Sequence, residues 1–157
     1  MVARVGSDLF GPATIENFKK LGIDATQVRQ VEGVSSGVAP IFVEPNGQNR
    51  ILVVKGANDR LKPADVDAAA DLLKTVDCMV LQFEIPLETV YHAVRFARAN
   101  RIRCIVNPAP ALPANLAELS GADLTEADLS GTILTNARGL DTVKGLDKAA
   151  NRDQAIY

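Results

Sequence analysis

"CMVLQFEIPLETVYHAVRFARANRIRCIVNPAP" occupies residues 78–110, and its changes of rhythm decide the fold. Residues 78–83 are apolar except for Gln82, the pattern of a buried strand. Pro86 then opens a helix in which Leu87, Val90, Val94 and Ala97 form an apolar stripe. "IRCIV" at 102–106 is a second strand. Strand, helix and strand within about 30 residues make a βαβ unit. Strands this apolar belong to a parallel sheet covered on both faces. In open α/β sheets, ligands bind at the carboxyl ends of the strands. Glu84 follows the first strand and Asn107 follows the second. If the strands are neighbours, a carboxylate and an amide face one crevice, where they can hold sugar hydroxyls. A plainer reading stays open for each: Glu84 caps the helix start, and Asn107 caps a turn before Pro108.

The remainder of the chain fits the same class. "MVARVGSD" reads as a strand ending in a turn. "GPATIENFKKLG" reads as a helix with Pro12 in its first turn, Ile15, Phe18 and Leu21 on one face, and Gly22 just past its end. "ATQVRQVEG" is a short strand. "GVAPIFVEPNGQNRILVVKGAN" reads as a hairpin, because two β-rich runs flank Asn46-Gly47, a strong turn signal. Pro63 opens a helix through about Lys74, with Asp65 and Asp67 near its positive end.

Composition limits the partners. Apolar residues make up 47% of the 157 and charged residues 23%, with a net charge of −2, which argues against nucleic acid and membrane surfaces. No apolar run approaches the roughly 18 residues needed to span a membrane. "MVARVGSDLF" lacks the apolar core of a signal peptide, so a cytoplasmic location is expected. Cys78 and Cys104 both lie in apolar runs and read as buried, reduced thiols. With His92 as the lone histidine, no metal site is expected.

Five segments carry a family resemblance: "VGSDLFG" (5–11), "GVSSGVAPIFVEPNGQNRILVVKGAN" (33–58), "LKPADVD" (61–67), "LQFEIPLETV" (81–90) and "NPAPALP" (107–113). Over residues 2 to about 115 the chain resembles the middle of a ribokinase, in the larger family of carbohydrate kinases. The resemblance implies an incomplete Rossmann-type parallel α/β sheet with a β-hairpin lid at about 37–54. It implies ATP-dependent phosphorylation of D-ribose or a related sugar, with Mg-ATP as cofactor. Ala39, Ile41 and Val53 match lid residues that cover the sugar, and Glu84 matches the family's sugar-binding glutamate. Asn107 stands in the family's Asn-Pro-Ala-Pro turn as a site-lining candidate. The lid implies a homodimer formed through paired hairpins. Several family motifs are not found in the sequence: the Gly-Gly pair, the Asn-x-x-Glu motif that places magnesium, and the Gly-Ala-Gly-Asp loop that supplies the anion hole and catalytic base. No catalytic residue is therefore assigned, and the chain is expected to be a fragment that is inactive alone.

The stretch "LSGADLTEADLSGTIL" (119–134) has another rhythm, with Leu119, Leu124, Leu129 and Leu134 five residues apart. In fives, "AELSG", "ADLTE", "ADLSG" and "TILTN" resemble the pentapeptide-repeat family, whose central leucine and the small residue two before it point inward. This divides the chain into a kinase-like part at 1–115 and a repeat-like part at 116–157. The second part reads as a short coil or irregular tail, and a helix over 114–130 stays open because Ala, Leu and Glu are good helix formers. It also supports an alternative function, a non-enzymatic structural or interaction protein.

Overall fold

The computed structural model describes residues 1–110, 112–125 and 143–149. The chain forms two compact units, Met1–Leu61 and Lys62–Tyr157.

In the first unit, β1 (Val2–Gly6) leads into α1 (Phe10–Lys20) and on to β2 (Gln27–Val31). The two strands pair in parallel from Val2–Gln27 to Gly6–Val31, so this segment too is a βαβ unit. Gly22 takes the left-handed φ of +72° expected of the residue that ends a helix. The predicted apolar stripe of α1 is shorter than expected: Ile15 and Phe18 are half-buried, but Leu21 is exposed past the last turn.

The hairpin forms with a tighter core than its sequence bounds. β3 (Ile41–Val43) pairs antiparallel with β4 (Asn49–Ile51), and a further bridge joins Val38 to Val54. Gly47 sits in the turn at φ +84°, where an Asn-Gly turn needs a left-handed residue. Arg50 Nε meets Glu44 Oε1 at 2.8 Å across the turn.

The half-buried Asp8 is hydrogen-bonded to Ser36, just before the hairpin. Its carboxyl is held below the ordinary carboxylate range, first by the Ser36 hydroxyl and then by the Ser36 amide, with weaker help from the amides of Gly11 and Phe10 against partial desolvation. A folded value below the unfolded one contributes stability that is present above the carboxylate range, near pH 4, and is lost as pH falls through it. In urea unfolding measured from pH 7 down to pH 3, the stability of Asp8→Asn should fall less steeply than that of the wild type. Equal slopes would refute the link.

The second unit opens with α2 (Pro63–Ala68) and α3 (Ala70–Leu73), where the sequence predicts one helix. The break falls at Ala69, a buried residue whose backbone (φ −95°, ψ 6°) leaves helical geometry. Asp65 caps the first turn by accepting the Lys62 amide at 2.9 Å. β5 (Cys78–Gln82) and β6 (Arg103–Asn107) flank α4 (Leu87–Ala99) and pair in parallel, Cys78 opposite Arg103 and Gln82 opposite Asn107. Val90, Ala93, Val94 and Ala97 of α4 are buried with Met79, Phe83, Cys104 and Val106. Alternation sends Val80, 73% exposed, to the opposite face.

The two cysteines are free. Cys104 is buried and its thiol is pushed up to about 12, chiefly by burial and secondarily by Cys78. Cys78 is half-buried rather than buried, because its register with Arg103 puts it on the face away from Cys104.

Beyond β6 the ladder continues. Asp123 N–H donates to Cys104 O at 2.8 Å, and Val106 N–H donates to Asp123 O at 3.1 Å. Leu124 N–H in turn donates to Lys144 O at 2.9 Å. Ala122 and Leu124 are fully buried while Asp123, between them, is partly exposed, the alternation of a strand. Leu119 is also fully buried, at the end of a 3-10 turn over Leu116–Leu119. The helical alternative for 114–130 is not what the described part of that stretch adopts: only this short turn forms, followed by Gly121 at φ +86°. Leu129 and Leu134 lie outside the described residues.

Candidate functional site

The second unit brings Glu84 and Asn107 to one edge of its sheet. Asn107 is the last residue of β6, and its partner Gln82 ends β5. Phe83 N–H donates to Ala109 O at 2.8 Å, which carries the pairing past both strand ends. Glu84 follows at once, so the carboxylate and the amide both sit at the carboxyl end of this parallel pair. That is the edge where α/β sheets bind ligands.

Local geometry explains why Glu84 sits there. Phe83 is fully buried and anchors the strand end in the core. The Glu84 amide donates to the side-chain oxygen of Gln82. In the sequence Gln82 is simply the polar break in an apolar run. Its place as the last residue of the strand was the signal that it could hold the next backbone group.

The capping readings are not what the structure shows. Pro86 is the residue before α4, and no side chain caps that helix start. Among the described residues, neither the Glu84 carboxylate nor the Asn107 side chain has a hydrogen-bond or ion-pair partner within the protein. Glu84 is half-buried and Asn107 exposed. A half-buried carboxylate without a partner is a ready acceptor for hydroxyl groups.

The other sequence-derived positions belong to the first unit. Carrying the hairpin register between Val38–Val54 and Ile41–Ile51 sets Ala39 opposite Val53. Val38 and Val54 exchange both backbone bonds at 2.9 Å, so the Ala39–Val53 and Ile41–Ile51 positions are the closely spaced, non-hydrogen-bonded pairs. Ala39, Ile41 and Val53 thus share one face of the ribbon. Ile41 is 59% exposed and Val53 50%. The other face is apolar as well, with Phe42, Leu52 and Val54 exposed.

Sequence reasoning did not find the clamp at the hairpin root. Asp8 and Ser36 are far apart in the chain, and short polar residues beside glycine read as ordinary turn chemistry. Among the described residues, no group of three or more His, Cys, Asp or Glu side chains could hold a metal ion. No helix among them is long and apolar enough to cross a membrane.

Comparisons with known proteins identify the family. The chain is 51% identical over 112 residues to a deoxyribokinase of Salmonella typhi, covering 71% of this chain and 37% of that protein. It is 40% identical over 113 residues to a ribokinase of Schizosaccharomyces pombe, covering 72% and 36%. A solved ribokinase from Giardia lamblia superposes with a TM-score of 0.70 at 30% identity, covering 78% of this chain and 39% of that one. The chain therefore spans little more than a third of the length of these curated relatives. The model of the pfkB family carbohydrate kinases matches residues 1–154. That match runs through the segment with the five-residue interval, and no comparison supports a pentapeptide-repeat module there. A family match over nearly the whole chain, on a chain whose sheets are built from βαβ units, shows that this protein belongs to the pfkB family of carbohydrate kinases.

Proposed function

We propose that this chain carries the sugar-side portion of an ATP-dependent pentose kinase of the ribokinase type. The carrying observation is Glu84, a half-buried carboxylate at the carboxyl end of β5 with no partner among the described residues. Glu84 accepts hydroxyl groups of the sugar, and Asn107 lines the same edge. The hairpin acts as a lid, with Ala39, Ile41 and Val53 on the face that covers the sugar. Closing an apolar lid over a phosphoryl acceptor excludes water that would otherwise compete with it. The exposed strand edges of the hairpin are suited to pairing with the hairpin of a second copy, because unpaired edges of a two-stranded ribbon invite such association. The likeness to a deoxyribokinase and a ribokinase supports D-ribose or 2-deoxy-D-ribose as substrate.

ATP with magnesium is the phosphoryl donor this reading entails. Among the described residues no group of three or more His, Cys, Asp or Glu side chains stands ready for that magnesium. The part of this chain is to bind and orient the sugar. The division at residue 115 belongs to this reading as well, with 1–115 carrying the sugar-side elements. The alternative, a repeat-based interaction protein, gains nothing from the buried Ala122 and Leu124, since extended backbone bridged to β6 at Asp123 buries the same residues, and Leu119 is buried at the end of a 3-10 turn.

The test is a chimera in which residues 1–110 replace the corresponding segment of a full-length ribokinase. With D-ribose or 2-deoxy-D-ribose and Mg-ATP it should form sugar phosphate, while the purified 157-residue chain alone should not. A folded chimera that phosphorylates neither pentose overturns the proposal.

A further inference from the structure

Within the first unit, the outgoing leg of the hairpin starts at a point held by one carboxylate. Ser36 is buried, 4% exposed, just before the first bridge of the hairpin. Its amide donates to Asp8 Oδ2 at 2.8 Å and its hydroxyl donates to Asp8 Oδ1 at 2.7 Å. The Gly6 amide donates to Ser36 Oγ at 3.0 Å, and the Gly11 amide donates to Asp8 Oδ1 at 3.1 Å. Asp8 therefore ties together the end of β1, the first turn of α1 and the outgoing leg of the hairpin. Hydrogen bonds to an ionised carboxylate are the stronger kind.

The returning leg is fixed beside the outgoing one. Ala57 N–H donates to Ser35 O at 2.8 Å. Gly56 has φ +52°, and a Cβ there would lie 2.5 Å from Ser35 O. Both legs are thus held at Ser35–Ser36 and Gly56–Ala57. Beyond them the ribbon is two strands wide, and its side chains from Ile41 to Val43 and from Ile51 to Val54 are exposed.

We propose that Asp8 is a positioning residue which, through Ser36, fixes the direction in which the hairpin leaves the fold. The ribbon has few contacts of its own, so its aim is set where it is anchored. A lid that opens and closes must return to one pose, and a stiff root with a free blade achieves this. The inference rests on the reading of the hairpin as a lid.

The experiment is amide hydrogen exchange on the full chain for wild type, Asp8→Asn, Ser36→Ala and Ser36→Thr. Asp8→Asn and Ser36→Ala should speed exchange at Val38, Leu52, Val54 and Ala57 by about tenfold or more. The β1–β2 amides should change by less than about twofold. Ser36→Thr keeps the hydroxyl and should behave as wild type. Unchanged hairpin exchange would overturn the proposal, and so would equal acceleration in β1–β2, which marks a general loss of structure. If Asp8→Asn does not fold, the Ala and Thr variants at residue 36 decide between the same outcomes. The readout needs no catalysis. A chimera inactive on pentoses overturns the kinase reading and leaves this proposal standing, whereas unchanged exchange overturns this proposal alone.

Discussion

Gly11→Ala should destabilise the first unit by about 3 kcal/mol. Helix propensity alone predicts the opposite sign, because alanine in a helix is favoured over glycine by about 1 kcal/mol. The geometry decides between them. Gly11 lies in the first turn of α1, and a Cβ built there would sit 1.9 Å from the carbonyl oxygen of Gly6. That oxygen belongs to backbone that cannot rotate out of the way. Gly6 in turn is packed on the hairpin root, its own Cβ position lying 2.3 Å from the Ser36 amide nitrogen. Alanine at residue 11 must therefore push α1 away from β1 or drive Gly6 into Ser36. Chemical denaturation followed by circular dichroism reads the change. A variant as stable as the wild type, or more stable, would show that the helix and strand separate without cost.

Glu84→Gln, placed in the ribokinase chimera, should lower kcat/KM for pentose by about 100-fold. The amide keeps the shape and one acceptor oxygen but loses the charge that strengthens hydrogen bonds from sugar hydroxyls. If Glu84 holds the sugar as proposed, the loss should fall mainly on the pentose KM and leave the KM for ATP unchanged. A purely structural role makes a different prediction. Glu84 would then alter the melting temperature of the chimera and leave its kinetics untouched.

The legible parts of the fold are those written in short-range pattern. The βαβ unit at 78–107 follows from apolar runs on either side of the Val90, Val94 and Ala97 stripe. The hairpin follows from Asn46-Gly47. Glu84 and Asn107 stood out because a sheet edge could be placed before the strands were known to be neighbours. The missed features depend on contacts that a linear pattern does not record. Ser36 meets Asp8 across 28 residues. The break at Ala69 carries no glycine or proline to announce it. The strand character of Ala122-Asp123-Leu124 was masked by the five-residue interval of the leucines, although its in-out-in alternation was present in three letters.

That last segment also has a kinetic meaning. In the second unit the paired segments add in the order in which the chain is made: Cys78–Gln82, then Arg103–Asn107, then Asp123, then Lys144. Among the described residues, each new segment bonds to the one described just before it. A sheet that grows at one edge in order of synthesis has mostly short loop closures. It can begin to assemble while the ribosome is still adding residues, each described segment finding its partner already made.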